Sequence, residues 1–167
     1  MQGIEYIPLT RDNLDIARDI YNYYAVHTTA TFHIYPLSPD EFLSMIPLGH
    51  SKYKSFLIYQ DKKVTGYCYI GQYKKRGAYD RTAEVTIYLK PGYTGKGLGL
   101  TSLKYLEEVA QVEGIQVLLG IVSGDNKASI RLFKNAGYQK CAHFRQVGEK
   151  FGKILDVIAF EKILAAP

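Results

Sequence analysis

The chain of 167 residues is 47% apolar and 22% charged, a composition typical of a globular protein that can bury a core. It has neither the run of about 18 apolar residues that a membrane-spanning helix needs nor a basic-then-apolar leader, so we expect a cytoplasmic protein that binds no membrane. The net charge of +5 suits an anionic partner, although lysines scattered over a solvated surface give the same total. We expect no nucleic-acid partner.

The first half of the chain predicts three strands and two helices, from alternating and helical spacings of apolar residues. The elements are a strand at 4–9, a helix at 13–24, a short helix from the capping box at Ser38 to just before Pro47, and a hairpin of strands at 55–60 and 64–73. One face of the first helix is apolar and is expected to be buried: Ile16, Ile20, Tyr23 and Tyr24.

The second half predicts alternating strands and helices followed by a closing hairpin. The elements are a strand at 82–89, a helix at 98–113, a strand at 116–122, a helix at 126–136, and strands at 138–147 and 154–162. This order predicts one α/β domain over residues 1–167, with a mixed, mostly antiparallel sheet and helices on both faces.

The two cysteines and four histidines indicate no special chemistry. Cys68 and Cys141 cannot form a disulfide framework, and both lie in apolar stretches, so we expect two buried thiols. The histidines lack metal-ligand spacing, and no metal is expected.

A glycine-rich turn at residues 95–99 lies between a predicted strand and a long helix. Glycine lets the backbone approach a ligand closely and adopt positive φ. The first N–H groups of the following helix have no internal partner, and the helix dipole adds roughly half a positive charge there. The turn therefore predicts an anion site.

The spacing of the glycines excludes two common nucleotide-binding motifs. Gly92 and Gly97 have the separation of a P-loop, but Leu-Gly follows where Lys-Ser/Thr is needed. The dinucleotide fingerprint would place its third glycine at Leu100 or Ser102. The turn resembles instead the Gln/Arg-x-x-Gly-x-Gly/Ala turn of the GNAT superfamily of N-acetyltransferases, with Thr94 in place of Gln or Arg.

Four further segments resemble the phosphinothricin and L-amino-acid N-acetyltransferases within that superfamily. Residues 76–84 resemble their Arg-x-Ala-Tyr-x-x-Thr-x-Glu segment, and residues 147–152 their Val-Gly-x-Lys-x-Gly closing hairpin. Residues 28–32 resemble their substrate-side loop, and residues 125–130 their second cofactor motif. The resemblance covers almost the whole chain in the right order.

The resemblance implies acetyl-CoA as co-substrate and two sets of binding residues. Backbone N–H groups would bind the pyrophosphate at Gly95, Lys96, Gly97, Leu98, Gly99 and Leu100. The pantetheine arm would meet the backbone of Ile87, Tyr88 and Leu89, and Asn126 would contact CoA. The substrate would contact Thr31, Phe32, Arg76, Gly77, Ala78 and Tyr79, with Arg76 pairing with a carboxylate or phosphinate.

Acetylation of an amine needs a base, and Glu84 is the candidate. An α-amino group has a pKa of about 8, so a carboxylate must take the proton only from the charged fraction. Glu84 lies in an apolar strand, where burial would raise its pKa; a structural glutamate is the alternative. A backbone N–H near Tyr88 would stabilise the oxyanion. In the relatives, a tyrosine that protonates the leaving thiolate stands at the position of Phe133. Either the thiolate leaves unassisted here, or another group such as Tyr138 protonates it, although we expect Tyr138 to pack in the interior.

Three functions stay open. The first is acetylation of a small amino-acid-like amine of the phosphinothricin or methionine sulfoximine type; an anionic group on it is favoured by the nearby bases Lys74, Lys75, Arg76 and Arg81. The second is acetylation of a polyamine, an aminoglycoside or a protein N-terminus, and the third is a non-catalytic CoA-binding module. The resemblance also implies a homodimer.

Overall fold

The structure, a computed structural model, describes residues 3–165. Its elements are β1 (Ile4–Pro8), α1 (Leu14–His27), α2 (Pro39–Met45), β2 (Ser55–Gln60), β3 (Lys63–Gln72), β4 (Thr82–Leu89), α3 (Leu98–Val112), β5 (Val117–Ser123), α4 (Lys127–Asn135), β6 (Gln139–Lys150) and β7 (Lys153–Ile163). Every predicted element is present; α1 and β6 run a few residues beyond their predicted ends. The predicted domain limits, residues 1 and 167, lie outside the described residues.

The described strands form one seven-stranded sheet in the order β1-β2-β3-β4-β5-β7-β6. Only the pair β4–β5 is parallel within residues 3–165, and its crossover runs through α3. The other neighbouring pairs are antiparallel. The predicted mixed, mostly antiparallel sheet is therefore confirmed.

Helices cover both faces of the sheet, as predicted. On one face, α3 and α4 bury Leu103, Leu106 and Phe133 against the strands. On the other face, α1 and α2 bury Ile20 and Phe42. Each helix thus places its apolar stripe on the sheet, which is how an α/β domain excludes water from its core.

The buried face of α1 differs from the predicted one. It consists of Leu14, Ala17, Ile20, Tyr21 and Ala25. The prediction for Tyr23 is wrong, because its side chain is 42% exposed. The two alanines allow α1 to lie close to the sheet, and a prediction from hydrophobicity alone underrates such small residues.

The two thiols lie in different environments. Cys68 is buried as expected, whereas the prediction for Cys141 is wrong, because its side chain is exposed. Cys141 lies on β6, an edge strand of the described sheet whose residues are mostly exposed.

Within residues 3–165, no helix combines the length and the apolar character needed to cross a bilayer.

Candidate functional site

A cleft opens where the two parallel strands separate. The ladder between β4 and β5 joins Thr82, Ala83 and Glu84 to Val117, Leu118 and Leu119, and ends there. Both strands continue beyond it, to Leu89 and Ser123. The rest of β4 thus leaves a strand edge without β5, and an extended ligand can add to such an edge as a further strand.

Hydrogen bonds on the two sides of β4 show which backbone groups face this cleft. The Arg81 carbonyl accepts the Val117 N–H at 3.1 Å, on the β5 side. The Lys90 N–H donates to the Thr65 carbonyl at 2.7 Å, on the β3 side. Because successive residues of a strand direct their backbone groups to opposite sides, odd-numbered residues of β4 face β5 and even-numbered ones face β3.

Ile87 and Leu89 therefore present their backbone groups to the cleft. The Leu89 carbonyl already accepts a hydrogen bond from the Tyr24 hydroxyl. Tyr88 pairs with Tyr67 of β3, and its N–H belongs to that ladder. Near Tyr88, the backbone N–H groups that face the cleft are therefore those of Ile87 and Leu89.

The glycine turn has the geometry of an anion site. Gly95 and Gly97 have φ of 73° and 83°, in the left-handed region that glycine tolerates best. Gly97 is the N-cap of α3, no side chain caps the helix, and its first turn contains no acidic residue. The N–H groups of Leu98, Gly99 and Leu100 are the donors that such an uncapped helix leaves for a ligand.

The two helix N-termini lie at one edge of the sheet, because α3 and α4 each follow one of the two parallel strands. Gly99 lies where these helices meet, since a Cβ there would lie 3.4 Å from Leu132 Cδ2. Asn126 is the N-cap of α4, and its Oδ1 accepts the Ser129 N–H at 3.0 Å. Its Oδ1 is therefore occupied, and its Nδ2 group is the part of the side chain that can donate to a ligand. Together, the turn, the uncapped helix and the open edge fit a pyrophosphate joined to an extended amide chain.

Glu84 lies at the inner end of the cleft, at the last paired position of β4. Its neighbours Ala83 and Val85 pack into the core under α3, so its own side chain points to the opposite face, under α1. Glu84 is half-buried, and burial raises its pKa. No ion pair of the described residues includes it. An unpaired carboxylate with a raised pKa is suited to accept a proton.

The segment of residues 28–33, here called the acceptor loop, lies on the same face as Glu84. The Tyr21 hydroxyl shares a hydrogen bond of 2.6 Å with Thr31 Oγ1 and also contacts His33 Nδ1. The Tyr21 ring packs edge-on against Tyr88 of β4, with 5.4 Å between the ring centroids. The structure therefore brings the predicted residues Thr31, Tyr88 and Glu84 to one face of the sheet.

The closing hairpin of β6 and β7 also holds the acceptor loop. The Phe32 ring covers Gly148, where a Cβ would lie 2.5 Å from Phe32 Cε2. The Lys150 ammonium donates to the Thr31 carbonyl at 2.8 Å. Lys150 was not among the predicted site residues, although the Val-Gly-x-Lys-x-Gly pattern contained it.

Asp125 is a second anchor that sequence reasoning missed. It accepts hydrogen bonds from Thr29 Oγ1 at 2.8 Å, from Lys153 Nζ at 2.8 Å and from Ser123 Oγ at 2.6 Å. Although burial raises the pKa of Asp125, these donors outweigh it and lower the pKa to about 2. Asp125 precedes the N-cap of α4, so it links the acceptor loop to the end of the sheet where the anion site lies.

The predicted segment of residues 76–79 lies in the connection between β3 and β4. This connection joins the strands close to the paired residues Gly71 and Glu84. Arg76 is exposed, and its guanidinium stacks over the Tyr79 ring at 5.5 Å. No ion pair of the described residues includes Arg76, so its charge remains available to a ligand.

Phe133 and Tyr138 are both core residues. The Phe133 ring stacks on Phe160 at 5.7 Å and meets Tyr138 at 5.0 Å. It also fills the space over Gly120, where a Cβ would lie 2.2 Å from Phe133 Cζ. Tyr138 is 4% exposed, and burial raises its pKa, in line with the expected packing role.

Within the described part of the chain, no group of three or more His, Cys, Asp or Glu residues is placed to hold a metal ion.

Comparison with known proteins identifies the class to which this fold and site belong. Residues 17–138 match the model of the acetyltransferase (GNAT) family. The matched segment contains β4, α3, β5 and α4, the elements that build the cleft and the glycine turn. The chain therefore belongs to the acetyltransferase (GNAT) family.

Individual relatives resemble the chain over most of its length. It is 28% identical over 165 residues to the phosphinothricin N-acetyltransferase of Streptomyces coelicolor, covering 96% of each chain. It is 31% identical over 140 residues to the L-methionine sulfoximine/L-methionine sulfone acetyltransferase of Salmonella typhimurium, covering 83% of this chain and 82% of that protein. The solved structure of yncA from Salmonella typhimurium, with its cofactor acetyl-CoA, has a TM-score of 0.87 and 27% identity, covering 98% and 95% of the two chains.

Proposed function

We propose that this protein is an acetyl-CoA-dependent N-acetyltransferase for a small amino-acid-like amine of the phosphinothricin or methionine sulfoximine type. The observation that carries this proposal is the unpaired, half-buried Glu84 at the inner end of the β4–β5 cleft, on the face of the sheet that also carries the acceptor loop. The names of the relatives with which the chain aligns over most of its length support the same substrate class.

In this proposal the cleft binds acetyl-CoA, which supplies an activated acyl group as its thioester. The N–H groups from Gly95 to Leu100 bind the pyrophosphate, and Asn126 contributes its Nδ2. The backbone of Ile87 and Leu89 pairs with the pantetheine arm. Thr94, where relatives carry Gln or Arg, leaves out one side-chain contact and costs affinity, since the backbone donors remain.

Glu84 acts as the general base. It takes a proton from the ammonium form of the acceptor, directly or through a water molecule, and the neutral amine attacks the acyl carbon. The N–H of Ile87 or Leu89 stabilises the negative charge that develops on the acyl oxygen. No acyl-enzyme is needed, and burial raises the pKa of Cys68 far above that of a reactive thiol. The carbon–sulfur bond then breaks, and the attacking nitrogen loses its second proton to water. The thiolate leaves without a proton from residue 133, because the Phe133 side chain has none to donate.

Arg76 binds the anionic group of the acceptor. We expect Arg76→Ala to lower kcat/KM for phosphinothricin by about 10- to 100-fold, because a hydrogen bond to a charged group is worth about 1.5–3 kcal/mol. Acetyl-CoA affinity should not change. The control is Lys63→Ala, since Lys63 is exposed at the opposite end of β3. An equal loss with an acceptor that lacks the anionic group would contradict this role.

A screen of amines tests the proposed function as a whole. Thiol release from acetyl-CoA is measured with free amino acids, phosphinothricin, methionine sulfoximine, spermidine, an aminoglycoside and a peptide with a free N-terminus. We expect release with amino-acid-like acceptors. Release with only one of the other amines would replace the substrate class, and binding of acetyl-CoA without any release would point to a non-catalytic module.

We propose that the protein forms a homodimer through its closing hairpin. Five apolar side chains on this hairpin are more than half exposed: Phe144, Val147, Phe151, Ile154 and Ile163. Exposed apolar groups at an edge strand favour association with another chain. We expect analytical ultracentrifugation to give the mass of two chains and Phe144→Glu to give that of one. A monomeric wild type at micromolar concentration would exclude the dimer.

A further inference from the structure

Lys150 differs from an ordinary lysine because it is buried. Its side chain is 2% exposed, and no ion pair of the described residues includes it. Its ammonium donates to the Thr31 carbonyl at 2.8 Å and lies 5.1 Å from the centre of the Phe151 ring. A buried ammonium is costly unless it is hydrogen-bonded, and burial lowers the pKa of Lys150 accordingly. The hydrogen bond to Thr31 therefore offsets part of the free-energy cost of burying this ammonium, which no partner within the hairpin offsets.

The contact places the acceptor loop relative to the sheet. Thr31 is held from two sides, through its carbonyl by Lys150 and through its hydroxyl by Tyr21. Tyr21 in turn packs on Tyr88, and Tyr88 shares its face of β4 with Glu84. Loss of the Lys150 contact would leave Thr31 held through its hydroxyl alone. The bond of Thr29 to Asp125 would remain as the anchor of the loop at the end of the sheet.

We propose that Lys150 is a positioning residue for the acceptor amine, holding the acceptor loop over Glu84 through the Thr31 carbonyl. This inference rests on the proposed function, because it takes the acceptor loop as the part of the site that meets the amine. Lys150 is enclosed and reaches the acceptor only through the loop. Its removal therefore weakens acceptor binding and leaves acetyl-CoA binding at the glycine turn unchanged.

The test compares Lys150→Met with Lys140→Met, the same change at an exposed position of the same strand. We expect Lys150→Met to raise the acceptor KM about tenfold, equivalent to about 1.4 kcal/mol. Acetyl-CoA affinity should stay unchanged. Lys150→Arg keeps the positive charge and should restore most of the wild-type acceptor affinity, and Lys140→Met should behave as wild type. A merely structural role would lower the melting temperature and the active fraction, hence kcat, without moving KM.

An unchanged acceptor KM in Lys150→Met overturns the proposal. Lys150→Gln, which keeps a polar group in the buried position, is judged by the same criterion if the methionine variant does not fold.

Amide hydrogen exchange separates a failure of this inference from a failure of the proposed function, because it needs no turnover. Lys150→Met should lose protection in residues 28–33 and keep it in α3 and α4, whereas Lys140→Met should lose none. Equal protection of the loop in wild type and Lys150→Met overturns the positioning role, even if the wild type acetylates amino acids. If Lys150→Met loses protection but the wild type acetylates no amine, the result supports the positioning of the loop by Lys150 and contradicts the proposed function.

Discussion

Glu84→Gln is expected to lower kcat by about 10²- to 10⁴-fold with a good amino-acid acceptor, the usual contribution of a general base. Glutamine is nearly isosteric with glutamate and cannot accept the proton of the ammonium group. Acetyl-CoA affinity, measured by isothermal titration calorimetry, should stay at the wild-type value, because the proposed pyrophosphate site lies beyond the far end of β4. A loss of acetyl-CoA affinity in proportion to kcat would show instead that the substitution distorts the cleft.

The same variant should be no less stable than the wild type at neutral pH. Burial raises the pKa of Glu84 above its value in the unfolded chain, about 4.3. A raised carboxyl pKa stabilises the fold only while the group is protonated, and this contribution is lost as the pH rises through the folded-state pKa. At neutral pH the buried charge therefore costs stability, and the neutral glutamine side chain would remove that cost. The melting temperature of Glu84→Gln should equal or exceed that of the wild type, with the difference shrinking in acid.

Gly95→Ala is expected to weaken acetyl-CoA binding by about tenfold or more, since each 1.4 kcal/mol is a factor of ten. Gly95 has φ of 73°, and no atom lies within 4 Å of a Cβ added there. Left-handed backbone costs a residue with a Cβ about 1–2 kcal/mol, so the turn would relax away from its donor geometry. The new methyl group would also occupy space that the proposed pyrophosphate needs. Equilibrium titration with acetyl-CoA measures the change.

Gly114→Ala is the matched control for this effect. Gly114 follows the opposite end of α3, has φ of 74° and has equally open space at its Cβ position. The two substitutions should therefore lower the free energy of unfolding by similar amounts. Only Gly95→Ala should weaken acetyl-CoA binding. Equal binding by the two variants would mean that the turn does not contact the cofactor.

The local patterns of the sequence predicted the order of elements and the position of the glycine turn. Pro91, Gly92 and the three glycines that follow determine a strand end, a turn and a helix start over a few residues, and such short-range constraints are visible in the sequence itself. The face of α1 was less predictable. Its buried stripe includes Ala17 and Ala25, whose burial depends on how closely the helix approaches the sheet.

The parts of the site that depend on long-range contacts could not be predicted. The side of β4 that Ile87 faces follows from the register of β3 and β5, which strand propensity does not encode. The contact of Lys150 with Thr31 spans 119 positions, and that of Thr29 with Asp125 spans 96. A pattern that marks the hairpin lysine says nothing about the carbonyl it will meet.

The measurement that tests the role of Glu84 most directly is the pH dependence of kcat/KM for wild type and Glu84→Gln with one amino-acid acceptor. If Glu84 removes the proton from the ammonium group, the wild type exceeds the variant most near neutral pH. The ratio of the two activities then falls as the pH rises above about 8, where the acceptor loses that proton without help. The wild-type activity should also fall in acid as Glu84 becomes protonated. Equal activity of wild type and variant across the whole pH range would contradict Glu84 as the base.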